Sequence, residues 1–141
     1  GGKTDVIMML NGALAGLVAI TAEPLTPSPL AAIFIGAIGA IIMYFGTKML
    51  EGFGLDDVVG AIPVHMFAGI FGTLIVPATN SDTSFGTQFI GTLSVVLFSF
   101  VLSYAVFVAL KATIGLRVSK EAERLGTDKA EIGVQAYAIR D

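Results

Sequence analysis

The run Asp56-Asp57-Val58-Val59-Gly60-Ala61-Ile62-Pro63-Val64-His65-Met66-Phe67-Ala68-Gly69-Ile70-Phe71-Gly72-Thr73-Leu74 decides how the chain is read. Two carboxylates open it, no charge follows until well past Leu74, and it contains the one histidine of the 141 residues. If the run crosses a bilayer from Val58, His65 lies about 10 Å deep at the 1.5 Å rise of an α-helix. An ionisable side chain at that depth is expensive and marks a functional site.

Composition points the same way. Hydrophobic residues make up 55% of the chain and charged residues 13%, with a mean hydropathy of +0.85. A soluble domain carries roughly 25% charge, so this chain lacks the polar groups to cover a water-facing surface. There is no cysteine, which removes disulfides and thiolate metal sites. No basic cluster suggests nucleic acid. The start, Gly1-Gly2-Lys3-Thr4, has no initiator Met and is no signal peptide, so the chain is expected to be the C-terminal piece of something longer.

Charged residues cut the sequence into four charge-free blocks, residues 6–22, 24–47, 58–81 and 83–110, each as long as a transmembrane helix needs. The expected helices are 5–22, 29–50, 58–77 and 88–112. The prolines at 24, 27 and 29, and the turn-rich segments 51–56 and 78–84, separate them. With four alternating spans, Lys3, Lys48, Lys111, Arg117, Lys120, Arg124, Lys129 and Arg140 fall on one side, and the loops around Glu23 and Asp82 carry no basic residue. That side is expected to be the cytoplasm. A soluble bundle would need polar stripes at helical spacing, and residues 30–45 have none. The expected fold class is therefore all-α, a polytopic membrane helical bundle over residues 1–114, with a cytoplasmic tail over 115–141.

Small residues at four-residue spacing let helices approach closely in lipid. Gly12 and Gly16 have that spacing in the first helix, and Ala32, Gly36 and Ala40 in the second. In the third helix, Ala61, Ala68 and Gly72 lie at −4, +3 and +7 from His65, which places His65 on a helix–helix seam; Gly69 and Gly72 are expected packing positions. Pro63 should bend the segment. Asn11 either hydrogen-bonds across helices or shapes a local break.

A metal at His65 would need further ligands, and no second His and no Cys exist. Two readings remain from the residues alone: a structural histidine bonded to a neighbouring helix, or a group lining a narrow permeation path. No nucleophile–base pair is visible, so an enzyme is not expected, and no cofactor is implied.

The residues carry a resemblance. Met9-Leu10-Asn11-Gly12-Ala13-Leu14-Ala15-Gly16-Leu17-Val18-Ala19-Ile20-Thr21-Ala22 resembles the eighth transmembrane helix of the ammonium transporter (Amt/Mep/Rh) family. Asp56-Asp57, Gly60-Ala61-Ile62-Pro63-Val64-His65 and Gly69-Ile70-Phe71-Gly72-Thr73-Leu74 resemble its tenth. Gly115-Leu116-Arg117-Val118-Ser119, with Gly126, Asp128, Glu131, Gly133 and Ala136-Tyr137, resembles its cytoplasmic tail. Met66 stands where the family usually has Gly, and Phe71 where Trp is frequent.

The resemblance implies the last four spans and tail of an eleven-span protomer in the cytoplasmic (inner) membrane, usually a homotrimer with one pore per subunit. It puts His65 on the second of two pore histidines, with Ala61 beside the path, and implies ammonium or ammonia as substrate. For the tail, with Arg117, Ser119, Gly126, Asp128 and Tyr137, it implies regulation through neighbouring subunits and the PII nitrogen-signalling protein. The same fold used as an ammonium sensor is the alternative. Asp57 is expected to be structural, capping the third helix at its cytoplasmic end. Ser119 is expected to cap a short tail helix that Gly126 stops.

Overall fold

The computed structural model describes residues 2–136, and among these every regular element is a helix. The chain divides into two compact units, residues 1–97 and 98–141. The first unit holds α1 (Val6–Thr21), α2 (Pro29–Gly52), a π-helical turn (Ile62–Phe67), α3 (Ala68–Ile75), a 3-10 turn (Val76–Ala78) and residues 85–97 of α4 (Phe85–Thr113). The second holds residues 98–113 of α4, then α5 (Lys120–Leu125) and a π-helical turn (Asp128–Ile132).

Local chemistry sets the ends. The Asp5 carboxylate accepts from the Met8 N–H at 3.0 Å and the Ser28 hydroxyl from the Ala31 N–H at 3.3 Å, each satisfying an orphan donor of a first turn. Pro29 starts α2 where a missing N–H costs nothing. α2 ends on Gly54, at φ +68°, with Leu55 N–H bonded to the Leu50 carbonyl and Gly54 N–H to that of Glu51. That pair of bonds closes a helix on a left-handed glycine.

The helices of unit 1 meet through small residues. Ala15 and Ala19 of α1 are buried. A Cβ on Gly16 would lie 3.2 Å from the Gly36 carbonyl oxygen, and one on Gly39 would lie 2.6 Å from the Ala19 methyl. On the α3 side, a Cβ on Gly72 would run into the Ala19 carbonyl. Ala15, Met43, Val64 and Ala68 form the core, with Met8 and Val18 against it. Gly12 rests beside Met43 and Ala40 at ordinary contact, and Gly69 beside Val18.

Two expectations change. The third helix does not begin at 58: Val58 and Val59 lie in a turn, Gly60 takes φ +74°, and helix starts only after it. His65 and Ala61 do not share the seam with Ala68 and Gly72; Val64, Ala68 and Gly72 are buried, whereas His65 and Ala61 are exposed. The offsets −4, +3 and +7 assume 3.6 residues per turn throughout. The π-turn is wider than that, so His65 sits one position off the packed face.

α2 and α4 are long and apolar enough to cross a membrane. Val6–Thr21 and Ile62–Ala78 are apolar but shorter, and at 1.5 Å per residue each reaches roughly 25 Å against a hydrocarbon core of about 30 Å.

Candidate functional site

The π-turn begins from Asp57. Its carboxylate accepts from the Ala61 N–H at 2.9 Å and the Ile62 N–H at 2.8 Å, and its carbonyl accepts from Gly60 N–H at 3.1 Å. Asp57 thus caps the turn from outside it, across the left-handed Gly60. Pro63 comes next and has no N–H to give, which removes one α-helical bond. The Val64 N–H reaches the Gly60 carbonyl at 3.1 Å, and the Ala68 N–H reaches back to the Pro63 carbonyl, five residues earlier. Pro63 itself is buried, and the Phe67 ring fills the space over Gly46, where a Cβ would collide with it. The turn is therefore held at both ends.

This register aims His65, Gly69 and Thr73 along one face of the third helix. With Met66 and Ile70 they line an open cavity of about 310 Å³, flanked on the other side by α4 residues Gln88, Gly91, Thr92, Val95 and Val96. His65 is its one titratable side chain, and no carboxylate reaches it. Among the described residues the imidazole has no hydrogen-bond partner, so its two nitrogens remain available to a small molecule. The Thr73 hydroxyl is spent on the Gly69 carbonyl at 2.9 Å, while the Thr92 hydroxyl is buried without a partner. Gln88 and Thr92 escape sequence reading. They stand four apart on an apolar helix, and that spacing alone does not say what they face.

Two other cavities differ in kind. One of about 550 Å³ is lined by Phe67, Ile70, Phe71, Leu74, Ile75, Phe85 and Phe89 and has no polar group to orient a ligand. The other, of about 170 Å³, lies at the start of the π-turn, where Glu51, Asp56 and Asp57 gather around Gly60 and Pro63. The acidic groups thus sit beside the entry to the turn and the histidine sits beyond it. A cation is attracted to the first environment and finds no counter-charge in the second. Among the described residues no group of three or more His, Asp or Glu could hold a metal.

In the second unit the Ser119 hydroxyl accepts from the Ala122 N–H at 3.1 Å and caps α5, and Arg117 pairs with Glu123 at 2.8 Å on the surface. Gly126, at φ +95°, ends α5 beside the Asp128 carboxylate. Asp128 accepts from the Ala136 N–H at 2.8 Å. This bond and a second from the Lys129 N–H hold its carboxyl below the usual carboxylate range. Tyr137 lies outside the described residues.

The comparisons agree with this helical apolar chain. The model of the Ammonium Transporter Family matches residues 1–137. The ammonium transporter Amt2 of Archaeoglobus fulgidus is 41% identical over 157 aligned positions, covering 96% of this chain and 33% of that protein. The ammonium transporter Amt2 of Methanocaldococcus jannaschii is 34% identical, covering 96% and 34%. The ammonium transporter of Aquifex aeolicus is 33% identical, covering 98% and 36%. The chain spans about a third of the length of these curated relatives. With residues 1–137 inside the family match and relatives 33–41% identical over nearly all of it, the chain belongs to the ammonium transporter family, a family of membrane proteins.

Proposed function

We propose that this chain forms part of a path that carries ammonium, as neutral ammonia, across the cytoplasmic membrane, and that His65 lines that path. The observation that carries the reading is the cavity beside the π-turn, where the one titratable side chain stands without a partner among the described residues and its neighbours are uncharged. An ammonium ion entering such a space loses hydration without gaining a counter-charge, so its neutral form is favoured. The imidazole then accepts from ammonia at one nitrogen or donates to it from the other, and it can pass a proton between the two. Asp57 stays outside this chemistry, because both its carboxylate oxygens are engaged by the backbone of the turn.

The one-sided distribution of Lys and Arg favours the tail on the cytoplasmic side. Assembly as a homotrimer, and a tail that contacts neighbouring subunits and a PII signalling protein, belong to the same proposal.

The test is uptake of labelled methylammonium by cells that lack their own ammonium transporters and carry the whole gene with His65→Ala. Uptake should fall about tenfold or more while the protein still accumulates in the membrane. Unchanged rate and selectivity in the variant would remove His65 from the path.

A further inference from the structure

Pro63 leaves a debt at Val59. In an uninterrupted helix the Val59 carbonyl would accept from the N–H of residue 63, and proline has none. The next two N–H groups upstream cannot serve, because Ala61 and Ile62 donate to the Asp57 carboxylate. The donor comes instead from another helix: the side-chain amide of Asn11, 48 residues away on α1, reaches the Val59 carbonyl at 2.9 Å. The bond ties the turn to α1 at the acidic end of the segment, beside Asp56 and Asp57.

We infer that Asn11 is a positioning residue for His65, holding the Val59 carbonyl that neither the left-handed Gly60 nor Pro63 lets the helix satisfy, and so fixing where the π-turn begins. Asn11 is well placed for this. The residue after it, Gly12, rests beside Met43 and Ala40 of α2, so its backbone belongs to the tightly packed α1–α2 pair. Its amide nitrogen also lies 2.5 Å from where a Cβ on Gly60 would stand, which keeps residue 60 a glycine in the left-handed conformation it adopts. With Val59 tied to α1, Gly60 turned, and Ala61 and Ile62 capped, the phase of the turn is set before Pro63. His65 follows two residues later on the cavity side. Without the amide the turn loses its tie to α1, and a segment free to rewind rotates His65.

The inference takes the transport reading of His65 as its background, and its test separates the two. The whole protein, labelled at histidine nitrogen and carbon, is reconstituted in lipid vesicles, and the His65 resonance is assigned by its loss in His65→Asn. Asn11→Leu should shift that resonance and lower methylammonium uptake by up to about 100-fold, the scale on which a group misplaced by about 1 Å loses its effect. Asn11→Gln, which keeps an amide donor, should return both most of the way. If leucine is not accommodated, Asn11→Ala removes the donor without adding bulk and answers the same question. A resonance unmoved in a folded Leu or Ala variant, or moved equally by Gln and Leu, overturns the inference. Uptake unaffected by His65→Asn, together with a resonance that follows Asn11, leaves the positioning role standing and removes the transport role.

Discussion

Gly72 of α3 lies so close to the Ala19 carbonyl of α1 that there is no room for a methyl group between them. The obstacle is backbone, which cannot swing aside as a flexible side chain would. Gly72→Ala should therefore push α3 off α1 and lower stability by about 1–3 kcal/mol, the usual cost of overpacking. Gly86→Ala, where a Cβ meets nothing within 4 Å, is the control. It should be neutral or slightly stabilising, since alanine is the better helix former. Unfolding of the two variants in detergent or bilayer compares them directly.

The Gly46–Phe67 contact predicts a coupled pair. A Cβ at 46 would collide with the ring of Phe67, which is a side chain and can be exchanged. Gly46→Ala alone should destabilise, and Phe67→Leu should relieve part of that cost. A double-mutant cycle should give a coupling of about 0.5–3 kcal/mol. Additive effects would mean that the ring turns away freely when position 46 is filled.

Pro63 and Asn11 should be coupled as well. Pro63→Ala supplies an N–H that reaches the Val59 carbonyl once Gly60 takes helical angles, so the protein should depend less on Asn11 in that background. Removing the Asn11 amide should therefore cost less stability in the Pro63→Ala background than in the parent. Thermal unfolding of the four proteins in one cycle measures this, and an equal cost in both backgrounds would contradict it.

Asp128 makes the fold of the tail sensitive to acid. Hydrogen bonds from the Ala136 and Lys129 N–H groups favour its charged form, so its folded pKa lies below the ordinary value of 3.8. A depressed carboxyl stabilises the folded form at pH above its unfolded pKa and loses that contribution as pH falls through the folded pKa. The Ala136 amide should therefore stay protected from exchange at neutral pH and open progressively below pH of about 4. Asp128→Asn should abolish this pH dependence.

Much of the framework was readable because it is local. Ser119 and Gly126 sit where a short helix needs a cap and a stop, and the structure has both. Spacing marks Gly16 and Gly36 as packing positions, and the structure pairs them across α1 and α2. What escaped was whatever depends on a partner far along the chain or on a departure from 3.6 residues per turn. Val58 and Val59 read as helix by hydropathy, yet they lie in a turn that Asp57, Gly60 and Asn11 build together. His65 stands out by its rarity, but helical spacing puts it one position off its face, because no periodicity reveals a π-turn behind Pro63. Gly39, closer to its neighbours than Gly16, carries no signal in the sequence, because its contact depends on where Ala19 falls on another helix.

The cavity beside His65 offers a way to separate transport from folding. Gly91 lines it from α4, and a Cβ built there meets nothing within 4 Å. A larger side chain at 91 therefore enters open space and displaces no backbone. Gly91→Leu should leave stability unchanged or raise it by up to about 1 kcal/mol, since a glycine is removed from a helix interior. In the proposed path the same substitution occupies room that ammonia needs beside the imidazole, and uptake should fall steeply. Gly86→Leu, on the same helix but lining none of the three cavities described, should gain a similar helix preference and keep its uptake. Loss of uptake at 91 but not at 86, with both proteins at least as stable as the parent, would locate the path in this cavity. Full uptake in Gly91→Leu would mean that ammonia passes His65 on another side.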